Sequence, residues 1–531
     1  MGCQRNRDRD IVTGIIISTL IVVVAAIAAL VALSRRQERA ITKIASTALP
    51  KADDATPLDR HWADIRSGED DAQLTALALV QSNMDAFAVR VATARAAGRS
   101  LDLMYYMWNA DLTGRLMMRE VLAAADRGVR VRLLLDDLGV TMSDRIFHAI
   151  DSHPNIELRL FNPTKARENM FRRGIELVLR FRSVNRRMHN KAWITDGRAL
   201  IIGGRNIGDA YFGAAEAVNF RDFDVLAHGK AVSDAEEIFD DYWNSAVAIP
   251  VRSLLAKRPS RLARLRRKLD ALATGEAARP YLQKVESLHH DGQFLFADKL
   301  HKVASATVLA DPPEKAAGKR RSGHNYLMEN LLPVLEGAEE ELKITSPYFI
   351  PGQKGVETLS RLSASGVRVS VLTNSLAATD VAAVHAGYAR YRRPLLLNGV
   401  KIHELRSLAD QQNSLSLRGS GQASLHTKAF TRDGETGFIG SLNFDPRSMS
   451  LNTEMGVLFN SSELASAMDQ IFKEETSREM SFELTLSPRK RLIWTGLVRG
   501  KPRLYGNEPY ASLSRRGIAL ILGILPLESQ L

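Results

Sequence analysis

Two copies of one residue pattern stand 237 residues apart in this chain, counted from His189 to His426. The first runs His189-Asn190-Lys191, Asp196, then Gly203-Gly204-Arg205-Asn206. The second runs His426-Thr427-Lys428, Asp433, then Gly440-Ser441-Leu442-Asn443. In both, Lys follows His by two, the acid follows Lys by five, Gly follows the acid by seven and Asn follows that Gly by three. Residues two apart on a strand share a face, so each copy offers an imidazole beside a fixed positive charge. Two such half-sites facing each other make a pocket for a phosphate diester. A phosphodiester resists attack because its oxygens are negative. Breaking it needs positive charge on the non-bridging oxygens, a nucleophile, and an acid for the leaving group. Lys191 and Lys428 supply charge without a metal, and the side amides of Asn206 and Asn443 supply hydrogen-bond donors. One neutral imidazole can attack phosphorus. The other, protonated, can donate to the leaving alkoxide and then deprotonate an incoming alcohol or water. Each imidazole needs a carboxylate to fix its tautomer. Asp222 and Glu454 are the candidates, each three residues before a Val that opens an apolar run, with Asp224 a rival to Asp222.

The elements that must position these groups also come in pairs. Lys191–Thr195 and Ala199–Gly203 read as hairpin strands around the turn Asp196-Gly197, and Lys428–Thr431 and Gly437–Gly440 read as their twins around Asp433-Gly434. The glycines at 203, 204 and 440 let backbone approach a ligand closely, with Ser441 standing where Gly204 stands in the first copy. Upstream, Ser100–Tyr106 and Val129–Leu135 read as strands around a helix over Thr113–Arg127, closed by Gly128. Leu342–Ser346, a helix near Val356–Ser363, and Val367–Leu372 after Gly366 repeat that order. Gly128 lies 61 residues before His189, and Gly366 lies 60 before His426. Strand–helix–strand order implies parallel crossovers, and a period near 240 residues is too long for a solenoid. The expected fold is therefore α/β, two duplicated domains about a pseudo-two-fold axis. A first helix is expected over Ala72–Ala97.

Ile11–Leu33 has no charged residue and is long enough to cross the hydrocarbon layer. It reads as an uncleaved transmembrane helix; the competing reading is a signal peptide ending near Ser34. Basic residues flank it on both sides, so the side of the membrane is undecided. The expected organisation is an anchor over 1–45, a tether over 46–72, a first domain over 73–250, a basic connecting segment over 251–295, a second domain over 296–490 and a C-terminal extension over 491–531. Val251–Leu269 interleaves Arg and Lys with Leu and could form a basic amphipathic helix at a membrane surface or a solvated linker. Lys165–Arg187 reads as a basic loop at the mouth of the site. Gly517–Leu525, after Arg515-Arg516, is too short to span and could lie in the interface or in a core. The net charge of +12 favours acidic partners, nucleic acid or an anionic membrane. A single cysteine, Cys3, rules out an internal disulfide, His289-His290 lacks a third ligand, and no Gly-x4-Gly-Lys-Ser/Thr loop is present, which argues against metal and nucleotide chemistry.

The doubled His-x-Lys-x4-Asp pattern with its trailing Gly-Gly/Ser-x-Asn resembles the phospholipase D superfamily. Tyr105-Tyr106-Met107-Trp108, Asp111–Arg115, Leu133–Asp137, Asn185–Lys191 and Gly203–Asp209 look more narrowly like bacterial cardiolipin synthases of the C type. That resemblance covers roughly Leu101 to the C-terminus. It implies two phospholipase D-like domains and a two-step phosphatidyl transfer through a phosphohistidine, with no metal and no cofactor. It implies His189 as nucleophile and His426 as acid and base, with Asp196 and Asp433 supporting structure more than proton transfer. The residues by themselves allow the reverse assignment. The implied partners are anionic and zwitterionic phospholipids and a membrane, placing the chain at the bacterial inner membrane. A lipid hydrolase would use the same residues, with water resolving the intermediate. A nuclease of the superfamily would suit the basic balance, but the anchor and the Lys/Arg-plus-Leu segments favour lipid. Intact motifs in both halves argue against an inert scaffold. Nothing in the residues reports the oligomeric state.

Overall fold

The computed structural model describes residues 43–67, 71–164, 180–255, 259–290, 298–407, 422–525 and 528–530, with the single residues 18, 25, 167, 174 and 176. All of the run 11–33 read as an anchor except 18 and 25, and most of 165–179, lie outside the described residues. Among the described residues no helix is long and apolar enough to cross a membrane.

The strands are β1 (Thr75–Val80), β2 (Ser100–Tyr105), β3 (Arg130–Asp136), β4 (Ile156–Phe161), β5 (Ala192–Thr195), β6 (Ala199–Gly203), β7 (Val218–Arg221), β8 (Asp224–Gly229), β9 (Ala248–Pro250) and β10 (His301–Val303). All but β7 join one sheet, in the order β10-β1-β8-β6-β5-β2-β3-β4-β9. Then follow β11 (Ser305–Ala310), β12 (Glu341–Thr345), β13 (Arg368–Asn374), β14 (Lys401–Leu405), β15 (Gln422–Leu425), β16 (Ala429–Arg432), β17 (Thr436–Gly440), β18 (Met455–Asn460), β19 (Ser481–Leu486), β20 (Leu492–Val498) and β21 (Lys501–Tyr505). All but β15 form a second sheet, β11-β18-β17-β16-β12-β13-β14-β19-β20-β21. The run β1-β8-β6-β5-β2-β3-β4-β9 matches β11-β18-β17-β16-β12-β13-β14-β19 place by place. The sense matches too: β2-β3-β4 and β12-β13-β14 are parallel. The other neighbours in both runs are antiparallel. The duplicated α/β domains expected from the motif spacing are thus present.

Strand alternation sends side chains to two different cores. From β5, Trp193 points to the helices on the outer face of the first sheet, while Ala192 and Ile194 enter a core shared with Ala429, Ile439, Met455 and Val457 of the second sheet. A separate core, built on Ile344, Val369 and Phe430, lies under the second sheet's own helices. The two sheets therefore pack face to face, and β7 pairs in parallel with β15 as a small bridge between halves.

Four segments differ from expectation. Residues 72–97 are not one helix: β1 comes first, and a helix over Asn83–Ala96 begins where the Ser82 hydroxyl accepts the Asp85 N–H at 3.3 Å. A strand buried on both faces shows a continuous apolar run instead of alternation, which periodicity alone does not separate from helix. The stretch read as a tether holds a helix over Pro57–Arg66, capped by Thr56, with Leu58 and Trp62 buried and Asp59 taking both Arg99 and Arg198. The connecting segment forms helices over Val251–Leu254, Leu262–Ala273 and Arg279–His290. Its Leu262, Leu265 and Leu269 pack onto the first domain, Leu269 buried and the other two half-buried, so most of that apolar face is turned to protein. Past 490, β20 and β21 extend the second sheet, leaving only a helix over Leu513–Ile524 for the interfacial reading.

Candidate active site

The site forms where the ends of the two hairpins meet between the sheets. Each hairpin turns on Asp-Gly with positive φ at both residues, 54° and 65° in the first and 53° and 68° in the second. That combination is the two-residue turn that matches strand twist. The Asp196 carboxylate accepts the backbone N–H groups of Gly98, Arg99 and Ser100 at 2.9, 2.8 and 2.8 Å. Asp433 does the same for Glu339, Glu340 and Glu341 at 3.1, 2.8 and 2.9 Å. Both acids therefore sit at the turn, a strand's length (about 13 Å for four residues) from the histidines. Named with the catalytic groups in the motif, they do not reach the reacting atoms. They pin each hairpin to the start of β2 or β12.

At the other end of the hairpins, the pairing is crossed between halves. His189 Nδ1 lies 2.8 Å from a Glu454 carboxylate oxygen and 3.1 Å from the Ser441 carbonyl. Both partners only accept, so Nδ1 carries the proton and Nε2 presents its lone pair. His426 Nδ1 lies 2.5 Å from an Asp222 carboxylate oxygen. Asp224, the rival, is instead buried against Arg90 and Arg205. Backbone contacts enforce the crossing. His189 N–H donates to the Thr453 carbonyl at 2.9 Å, and Thr453 N–H to the Arg187 carbonyl at 2.9 Å. His426 N–H donates to the Arg221 carbonyl at 2.8 Å, continuing the β7–β15 ladder. Behind them, Asp136 accepts the Met188 N–H at 3.0 Å, and Asp311 accepts the Glu454 N–H at 2.9 Å. Arg187, the end of the basic stretch expected at the mouth, is buried against Asp136.

The charges are unusually placed. Lys191 and Lys428 are buried, and each ammonium donates to the carbonyl of its own histidine. Burial, with Lys428 nearby, pushes the Lys191 ammonium down to about 7. Burial also lowers Lys428. His189 falls to about 4, chiefly through burial and despite Glu454; His426 lies well below the ordinary range through burial and the two ammoniums. Both imidazoles are thus held toward the neutral form. The carboxylates diverge. Burial raises Asp222 to about 6. Burial would raise Glu454 as well, but His189, Lys191 and the Ser441 hydroxyl together hold it below its usual value. The hydroxyl is the least of these three, with Ser441 Oγ donating to Glu454 at 2.5 Å. A side chain at the matching Gly204 would place its Cβ 2.3 Å from Asp222 Oδ1. Gly203 and Gly440 are crowded the same way, by Phe223 and Met455 carbonyls at 2.4 Å.

Of the two asparagines, the first has its amide engaged within the protein. Asn206 is buried, its oxygen accepting the Met107 N–H at 3.2 Å and its nitrogen donating to the Tyr211 hydroxyl at 2.8 Å. The Asn443 side-chain oxygen is buried without a donor among the described residues. Three aromatic walls were not foreseen. Tyr106 lies 5.2 Å from the His189 ring and 5.7 Å from the Lys191 ammonium. Tyr211 and Phe220 lie 5.2 and 4.9 Å from His426. Tyr106 follows the carboxyl end of a parallel strand, where α/β sheets place ligands, so its position was legible; nothing local marks Tyr211 or Phe220.

Two buried half-sites, each completed by the other half, define a phospholipase D-type phosphodiester-transferring enzyme. The chain belongs to this family: the family model described as "Cardiolipin synthase, PLD-like domain" matches residues 91–243 and 331–476. Among curated relatives, it is 41% identical over 453 residues to cardiolipin synthase C of Escherichia coli (strain K12), covering 85% of this chain and 94% of that protein. It is 25% identical over 420 residues to a cardiolipin synthase of Listeria monocytogenes, covering 79% and 72%. The crystal structure of phosphatidylserine synthase from Haemophilus influenzae superposes with a TM-score of 0.54 at 14% identity, covering 89% of this chain and all of that one, a likeness of fold.

Two outcomes follow from the site's crowding and charge. Gly204→Ser copies the other half's motif, yet its Cβ must push Asp222 off His426; turnover is expected to fall at least about 100-fold, as when the partner that orients a catalytic His is lost. Wild-type turnover in Gly204→Ser would refute this. The Lys191 ammonium, lowered to about 7 in the empty site, keeps its charge below that pH and loses it above. kcat/KM for a short-chain phosphodiester should therefore fall as pH rises through about 7. A bound phosphate anion favours the ammonium, so the kcat limb should lie at higher pH. A kcat/KM that climbs steadily to pH 9 would contradict it.

Proposed function

We propose that this chain joins phosphatidylglycerol to a second phospholipid, making cardiolipin through a phosphohistidine on His189. The observation that carries the reading is the crossed pair of histidine–carboxylate contacts flanked by two buried ammoniums. The names of the cardiolipin synthase relatives supply the substrate class. In the first step His189 Nε2 attacks the donor's phosphorus; a P–N bond forms, the P–O bond to the headgroup breaks, and His426 gives a proton to the departing alkoxide. In the second step His426 takes the proton of a phosphatidylglycerol headgroup hydroxyl. That oxygen attacks phosphorus, and the P–N bond breaks. A diester anion between Lys191 and Lys428 offsets their charge and lets His426 carry the proton that the empty site rejects. Glu454, held ionised, favours His189 as the nucleophile, because an anion at Nδ1 raises the electron density at Nε2.

The membrane reading has two parts. Ile11–Leu33 is taken as a single-pass anchor. The helix Leu513–Ile524 is taken as an interfacial element: none of its side chains is buried, Leu513 is 85% exposed and Ile524 78%. At about 1.5 Å per residue its 12 residues reach about 18 Å, too short to cross. The Arg515 guanidinium holds the Thr379 carbonyl, beside Asp380, whose charge acts on His426 and Lys428. The helix is thus tied to the segment whose charge acts on the site.

Purified full chain is to be given labelled phosphatidylglycerol with and without phosphatidylethanolamine. Labelled cardiolipin is expected, and His189→Ala and His426→Ala should each abolish it while keeping the wild-type melting temperature. Phosphatidic acid alone would replace transfer by hydrolysis, and DNA cleavage without lipid conversion would end the lipid reading. For the helix, Leu520→Asp with Ile524→Asp should slow turnover of bilayer lipid about tenfold and leave a monomeric short-chain substrate unaffected. Equal effects on both substrates would remove the interfacial role.

A further inference from the structure

We propose that a cleft on the outer side of the first domain binds anionic phospholipid, separately from the catalytic pocket. It lies between the helices Leu112–Asp126, Asp144–Asp151 and Leu262–Ala273 and encloses about 410 Å3. Arg115, Arg145, Arg261, Arg264 and Lys268 line it, all five exposed. None pairs with a carboxylate among the described residues, and the acids at hand are taken by other arginines. Arg119 holds Asp270 at 2.9 Å, and Arg266 holds Asp126. Five like charges around one opening repel each other and create a local potential that concentrates anions.

The floor says which anion. Met118, Met142, Ile146, Leu265, Leu269 and Leu272 underlie the charges, so the cleft is apolar below and cationic above. A free inorganic anion has no use for such a floor. Single-stranded nucleic acid would call for exposed stacking rings, and Trp108, the aromatic residue of the lining, is buried with its indole N–H given to the Gly114 carbonyl at 3.0 Å. An anionic headgroup with the first carbons of its acyl chains matches both layers. The volume falls within the usual range for small-molecule pockets, roughly 300–1,000 Å3. It holds a headgroup and the start of the chains, the remainder staying in the bilayer. The connecting helix, whose leucines pack on the domain and border the cleft, thereby acquires a reason for its basic face. No residue of either His-x-Lys motif lines the cleft, so the proposal stands whether or not the transfer reaction is the one described above.

The test uses full-length protein in neutral detergent micelles with photoactivatable phosphatidylglycerol or phosphatidylcholine, followed by peptide mapping of the adducts. Phosphatidylglycerol is expected to label 108–118, 142–149 and 261–272 at least tenfold over phosphatidylcholine. R261A/R264A/K268A should cut that labelling at least tenfold, and Arg145→Glu, on a different helix, should cut it independently, both with the wild-type melting temperature. Equal labelling by the two lipids, no adducts in these segments, or labelling untouched by the variants would overturn the proposal. Protection of the same segments by an oligonucleotide duplex without any lipid adduct would overturn it as well.

Discussion

The crossed contact between each histidine and the other half's carboxylate is the constraint on which the rest of the molecule depends. A buried imidazole–carboxylate pair tolerates little misplacement, since a shift of an ångström leaves a desolvated charge without its partner. Glu454 and Asp222 stand just ahead of β18 and β8, and the histidines just ahead of β16 and β5. Holding both contacts at once fixes the relation of two large sheets. Much of the architecture serves that end: the shared apolar core between sheets, the backbone bonds from His189 and His426 to the opposite half, and the Asp–Gly turns that anchor each hairpin from behind.

Within that frame the halves are alike in backbone and unlike in electrostatics. One hydroxyl, Ser441 Oγ, serves Glu454; its counterpart Gly204 leaves room and nothing more. Burial raises Asp222 to about 6, whereas at Glu454 the contact with His189 and the Lys191 charge outweigh it, with the hydroxyl adding to them. Two chemically identical histidines acquire different neighbours, which is what a two-step transfer asks of them. Burial lowers both ammoniums, so an anion placed between them would favour their charged forms.

Much of this was legible in the chain. The motif spacing located both hairpins to within a residue, and the paired glycines Gly128 and Gly366, with φ of +96° and +102°, mark equivalent helix ends. The carboxylates were legible as types and positions, because each precedes the strand neighbouring its own hairpin. Their crossing was not, because sequence order places Asp222 nearest His189 and only the packing of the halves sends it to His426. Asp196 and Asp433 show the converse: a motif position fixed by backbone donors looks the same in sequence as one fixed by chemistry. The strand β1 and the helix at 57–66 were missed because full burial erases alternation in one, and only Leu58 and Trp62 mark the apolar face of the other, which the Asp59 ion pairs help to hold.

The parallel bridge between β7 and β15 carries a consequence for how such a chain could have arisen. Its partners come from opposite halves, as do those of each histidine. A molecule with one half alone would lack both the edge that orders the His426 segment and the acid that orients its imidazole. Such a single-domain ancestor would have worked only as a symmetric pair of subunits. Fusion into one polypeptide then freed the two copies to diverge, and the Gly204/Ser441 difference is what a homodimer, bound to identical sequences, could never have shown.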